Sequence, residues 1–134
     1  MARFWLCAVT ILSMCNLMNC DVFGSLCSCY VKNNLNVTDC QGRGLNTTLL
    51  LNRSFPKSTE ILYLHANKIS QLPETIFSSL TNLKVLYLFN NTITQLPANL
   101  FSGLRYLQTL SLQENKIRKL PLRVFYDLAA LQQL

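Results

Sequence analysis

Between residues 59 and 130 the apolar positions return in a fixed order. Three stretches, 59–82, 83–106 and 107–130, each 24 residues long, align without insertion or deletion. Their columns are Leu62, Leu86 and Leu110; Leu64, Leu88 and Leu112; Ile69, Ile93 and Ile117. Leu-Pro follows at 72–73, 96–97 and 120–121, then Phe77, Phe101 and Phe125, then Leu80, Leu104 and Leu128. Only the first column is imperfect, with Thr59 where Leu83 and Leu107 stand. The L-x-L segment alternates, which predicts a short strand with its leucines on one side. Leu-Pro reverses the chain and cannot belong to a central strand. The stretches 74–80 and 98–104 are too short for independent helices and predict one or two loose turns. One copy is therefore strand, corner and irregular return. It cannot bury its own leucines, but stacked copies bury them as one continuous core.

A polar column interrupts the apolar ones: Asn67, Asn91 and Asn115. A polar side chain inside an apolar run costs stability unless its amide is bonded. In strict register, each asparagine is placed to bond backbone groups of a neighbouring coil, forming a ladder. The alternative is three exposed turn asparagines.

The pattern L-x-x-L-x-L-x-x-N-x-I-x-x-L-P-x-x-x-F-x-x-L-x-x resembles the 24-residue extracellular class of leucine-rich repeat. The resemblance covers 59–130, and Leu131 and Leu134 open a fourth copy. It implies an α/β fold: a short, right-handed, curved solenoid. A parallel sheet would line its concave face and short irregular or helical turns its convex face. Toll-type receptors and variable lymphocyte receptors share this pattern with widely different tasks, so it implies binding, not a particular partner.

The rest of the chain places these copies in a compartment. In residues 1–15, Arg3, the apolar run 4–12 and Ser13-Met14-Cys15 read as a secretory leader. An uncleaved membrane anchor is the alternative, though the run is short for a span and Asn16 and Asn19 interrupt it. No other segment has the length and apolarity to cross a bilayer. Without Cys7 and Cys15, four cysteines are left, Cys20, Cys27, Cys29 and Cys40, an even set typical of a secreted disulfide framework with three connectivities open. Sequons at Asn36, Asn46, Asn52 and Asn90 offer N-glycosylation sites in that compartment. The expected location is extracellular, or the cell surface if an anchor follows.

Residues 16–58 read as a cap over the first coil, whose apolar side chains and strand edge need cover. The arrangement C-x6-C-x-C-x10-C, followed by Gly42-Arg43-Gly44-Leu45, resembles the cysteine-rich N-terminal cap of extracellular leucine-rich repeat proteins. That resemblance implies the pairs Cys20–Cys29 and Cys27–Cys40. Leu49-Leu50-Leu51 and two sequons precede Phe55-Pro56, which departs from the family and predicts a longer glycosylated loop or an extra strand. At the other end, residues 131–134 start a fourth repeat, and no cysteine-containing cap follows. The sequence is read as a piece of a longer protein, with a short form closed by dimerisation as the alternative.

Two surfaces are candidates for function. Strands about 4.8 Å apart bring equivalent outward positions into columns, giving a concave-face set of Tyr63, His65, Lys84, Tyr87, Phe89, Ser111 and Gln113. Exposed aromatics on a rigid sheet anchor protein partners well; the alternative is that they pack on one another and on the cap. The second surface is basic: Arg105, Lys116, Arg118, Lys119 and Arg123, outside the strands, suited to a glycosaminoglycan or other acidic polymer, or simply solvated.

The net charge of +6, or +5 without Arg3, permits acidic partners without demanding them. Nucleic acid is not expected of a secreted chain without a binding motif. Catalysis is not expected either. The single histidine, His65, has no metal-spaced partners, and no glycine-rich phosphate loop or G-x-S-x-G turn is present. No cofactor is implied. The sequence thus leads to a recognition module for a protein ligand, with a structural matrix component as the second possibility.

Overall fold

The computed structural model describes residues 26–134. The expected leader, the start of the cap and Cys20, hence one half of the Cys20–Cys29 pair, lie outside the described residues.

Among the described residues five strands form one sheet in chain order: β1 (Ser28–Lys32), β2 (Leu35–Asp39), β3 (Ile61–Tyr63), β4 (Val85–Tyr87) and β5 (Thr109–Ser111). From β2 onward every pairing is parallel, and every partner lies one repeat length away: Val37 with Ile61, Leu62 with Leu86, Tyr87 with Ser111. The return segments explain this geometry. Proline carbonyls open each one with a tight turn, Ile76 N–H to Pro73, Leu100 N–H to Pro97 and Val124 N–H to Pro121. Further three-residue steps carry the chain back to the next strand, for example Leu80 N–H to Phe77 and Leu83 N–H to Leu80. Of the two forms expected for these returns, the three repeats use irregular turns.

Inward positions make the core. Leu62, Leu64, Leu86, Leu88, Ile69 and Ile93 are fully buried. On the return side the phenylalanines stack along the array, Phe55 on Phe77 at 6.3 Å, Phe77 on Phe101 at 6.4 Å and Phe101 on Phe125 at 6.0 Å between ring centres. The third repeat is flanked on its outer side by residues 131–134, whose Gln133 bridges Thr109 in parallel, and its return is less well covered: Leu72 and Leu96 are 4% and 3% exposed, but Leu120 is 49% exposed.

The register of β2 on β3 shows a coil that the leucine pattern did not reveal. Residues 35–58 occupy one repeat length, with Thr38 and Cys40 at the positions of Leu62 and Leu64, and all four are fully buried. Leu45 corresponds to Ile69 and is equally buried. The expected longer loop or extra strand at 46–54 is corrected. A single helical turn, α1 (Thr47–Leu50), stands there, capped by Asn46, whose Oδ1 accepts the Leu49 N–H at 3.0 Å. Leu50 drops into the core and Phe55 completes the phenylalanine stack, so the return closes without extra length.

This coil also explains the imperfect first column. Thr59 is fully buried; its hydroxyl donates to the Pro56 carbonyl at 2.7 Å and lies 2.8 Å from the Thr38 hydroxyl, which therefore donates to it. A leucine at 59 would leave the buried Thr38 hydroxyl without this partner. Beyond β2, β1 folds back antiparallel through Asn33 and Asn34, both with positive φ (51° and 63°), as a two-residue hairpin turn requires. β1 thereby occupies the outer edge of β2. Cys27 and Cys40 form a disulfide that ties the start of this hairpin to the buried face of the coil. Cys29 is also disulfide-bonded.

Candidate functional site

The outward side of the sheet gathers the aromatic candidates. Tyr63 and Tyr87 are opposed in the β3–β4 register, and their rings stack at 5.4 Å. His65 and Phe89, two residues further along each chain, stack at 4.4 Å and 15°. His65 also meets Tyr63 and Tyr87 edge-on, at 5.8 and 5.9 Å. Four rings thus form one cluster, each half-buried and each keeping a solvent-facing part. Ser111 and Gln113 extend the two columns with polar groups.

The flanks of the cluster are fixed by hydrogen bonds. Lys84 does not stand free: its Nζ lies 2.8 Å from Glu60 Oε1, and Glu60 Oε2 accepts the Asn36 N–H at 2.9 Å. Burial works against the charge on Glu60, but the bond and charge of Lys84 together with the Asn36 N–H outweigh it and hold the carboxyl below its usual range. Burial lowers the pKa of His65, against a smaller opposing pull from Asp39, and His65 Nδ1 is buried without a hydrogen-bond partner. Burial, with the neighbouring Tyr87 and Asp39, raises the Tyr63 pKa. Burial thus favours the neutral forms of both His65 and Tyr63.

The added coil brings in residues that sequence reasoning missed. Asp39 heads the Tyr63–Tyr87–Ser111 column, paired with Tyr63 in register, and Gln41 precedes His65 in the next column. Tyr30 on β1 donates from its hydroxyl to Asp39 Oδ2 at 3.4 Å. The signal lay in the spacing: Asp39, Cys40 and Leu45 each stand one repeat length before Tyr63, Leu64 and Ile69.

At the end of the strands the asparagine column is bonded across coils. Asn67 Nδ2 donates to the Cys40 and Leu64 carbonyls, both at 2.9 Å, and Oδ1 accepts from Arg43 and Leu45 N–H at 3.0 Å. Asn91 and Asn115 repeat this, donating to Leu64 and Leu88 of the preceding coil and accepting from Ile69 and Ile93. Just before each asparagine the backbone takes a positive φ, at Ala66 (57°), Asn90 (52°) and Glu114 (54°), in line with Gly42 (61°).

The sequons differ in setting. Asn36 is half-buried and its Nδ2 donates to the Ser58 carbonyl at 3.1 Å, whereas Asn46, Asn52 and Asn90 are exposed. The basic candidates do not share one site. Arg118 and Lys119 line one open groove of about 580 Å³ with Leu112, Ile117, Leu120 and Phe125. Arg123 lies over the Tyr126 ring at 5.8 Å and Arg105 acts on the carboxylate of Asp127, away from that groove's lining. Lys116 is exposed, its N–H bonded to the Ile93 carbonyl. Among the described residues no group of histidine, cysteine and carboxylate side chains has the geometry to hold a metal ion, and no helix is long and apolar enough to cross a membrane.

A comparison with curated proteins returns no match. The family model described as leucine rich repeat matches residues 57–113 and again 90–134. Together these matches take in more than half of the chain, and they fall on the three repeats and the start of the next. The chain belongs to the leucine-rich repeat family.

Proposed function

We propose that the chain is a secreted or cell-surface recognition module, non-catalytic, that binds a protein ligand on a concave sheet face. Leucine-rich repeat domains generally mediate protein–protein recognition, which supports the class of partner. The observation that carries the reading is the four-ring cluster of Tyr63, His65, Tyr87 and Phe89 on the outward side of a parallel sheet. Large rings already held against one another lose little freedom on binding, so their apolar area is available as affinity. In this reading the strands curve toward the ligand, residues 1–15 are a cleaved leader and residues 16–58 a disulfide cap. N-linked glycans at Asn46 and Asn52 would sit clear of the aromatic face, and one at Asn90 would border it.

A structural matrix role through Arg118 and Lys119 is the second reading. Both side chains are exposed and neither forms an ion pair among the described residues. Salt separates the two readings. A labelled tetramer of the full chain is scored for staining of intact cells and of matrix preparations across a sodium chloride series. Binding through the aromatic cluster keeps most of its strength from 0.05 to about 0.5 M, where the Debye length shrinks to a few ångströms. Loss of nearly all staining over that range assigns binding to the basic groove instead.

A further inference from the structure

We infer that the partner presents a basic side chain, an arginine above all, to the end of the aromatic cluster formed by Asp39, Tyr63 and Tyr87; this rests on the sheet-face reading above.

The charge distribution is the first observation. At the outward strand positions of the four coils the charged residues are Asp39, Glu60, Lys84 and Glu114, three carboxylates against one ammonium. Lys84 is already held by Glu60. Lys32 on β1 shares that side of the sheet, since its register partner Leu35 alternates with Val37 and Asp39, so the face carries three carboxylates against two ammoniums in a chain whose formal net charge is +6. At physiological ionic strength the Debye length is about 8 Å, so a side chain arriving at Asp39 responds to the charges beside it more than to the net charge of the whole chain.

Asp39 itself is the second. Among the described residues it forms no ion pair. Its carboxylate takes the Gln41 N–H at 3.1 Å on Oδ1, and two longer contacts on Oδ2, from Gln41 Nε2 at 3.3 Å and the Tyr30 hydroxyl at 3.4 Å. An ionised carboxylate has about four acceptor sites, and the two long contacts are the ones a charged donor would replace at little cost. The third is what lies beside it: the stacked faces of Tyr63 and Tyr87, followed by the neutral His65. A guanidinium satisfies both features at once, lying flat on a tyrosine ring while its N–H groups reach the carboxylate. A carboxylate ligand meets repulsion from Asp39, and an aliphatic one leaves it unused.

The test is an NMR titration of the full chain with N-acetyl-arginine-N-methylamide, read from the tyrosine ring signals. The matching glutamate and norleucine compounds are controls, and the exposed Tyr106 is the internal reference. Tyr63 and Tyr87 are expected to shift saturably with the arginine compound alone. Asp39→Asn, which keeps an acceptor for the Gln41 N–H, is expected to weaken that binding at least 5-fold. Tyr87→Ser, which copies Ser111 in the next coil, is expected to weaken it as well, so the result does not depend on one variant folding. An arginine Kd unchanged in both variants, or no saturable shift, overturns the proposal. Norleucine or glutamate moving the same rings as strongly also overturns the cationic assignment, while leaving the face as a binding surface.

Discussion

The side-chain Nδ2 of Asn91 donates to the carbonyl of Leu64, one coil earlier, at 3.0 Å, and to its own coil's Leu88 at the same distance. Its Oδ1 takes the Ile69 N–H at 3.1 Å, so one buried amide serves backbone groups of two coils that have no sheet partner. Asn91→Ala removes all of these bonds inside the core and is expected to cost about 3 kcal/mol. Asn115→Ala, in the more exposed last coil, is expected to cost about half as much. Urea unfolding of both variants checks the ranking, and equal small losses would mean that the ladder is not holding the coils.

Ala66 carries the same positive φ as Gly42, one coil before it, but with a β-carbon. A left-handed conformation costs an alanine about 1–2 kcal/mol more than it costs glycine. Ala66→Gly is therefore expected to stabilise the fold by about 0.5–1 kcal/mol after the added freedom of the unfolded chain is set against it. Thermal unfolding measures it, and a lowered Tm would contradict the backbone argument.

The disulfide between Cys27 and Cys40 closes a loop of 13 residues around the hairpin. Replacing both with alanine is expected to cost about 3 kcal/mol and to expose the β2 edge first. Guanidinium unfolding gives the size. Hydrogen exchange should show the loss of protection concentrated in β1 and β2, and a uniform loss along the array would argue against a local cap role.

His65 titrates below its ordinary value because burial among the rings disfavours its charge. Above about pH 6.5 the ring is neutral in both folded and unfolded chains. Below that, the unfolded chain takes up the proton first, so the stability this group supports is lost as pH falls toward the folded-state value. The wild-type Tm is expected to drop more between about pH 7.5 and 5 than that of His65→Phe, which copies Phe89 in the same column. Parallel curves would place His65 outside the buried cluster.

The three repeats and their asparagine column were legible because each leucine, asparagine and phenylalanine recurs in strict register and each has one physical task. The coil at 35–58 was not, because Thr38 and Cys40 stand where leucines are expected, and each serves a bond instead: Thr38 to Thr59, Cys40 to Cys27. The hairpin was missed for a different reason. β1 is almost wholly exposed, so it carries no alternation, and only Asn33-Asn34 marked its turn. At the candidate site the tyrosine, histidine and phenylalanine columns followed from spacing. Asp39 and Tyr30 did not, since their neighbourhood depends on the unrecognised coil. Lys84 looked like a free contact residue, and its capture by Glu60 depends on two side chains reaching across adjacent strands.

The central claim is that a protein partner is held by the aromatic cluster. The most direct measurement is staining of intact cells from the source tissue by a tetramer of the full chain carrying Tyr87→Ala and Phe89→Ala. It is run beside wild type and an Arg118→Glu, Lys119→Glu variant, all matched for Tm. The account predicts at least a 10-fold loss of staining for the aromatic pair and near wild-type staining for the charge-reversed pair. Full staining by the aromatic pair, with loss in the charge-reversed one, would contradict it and move binding to the basic groove.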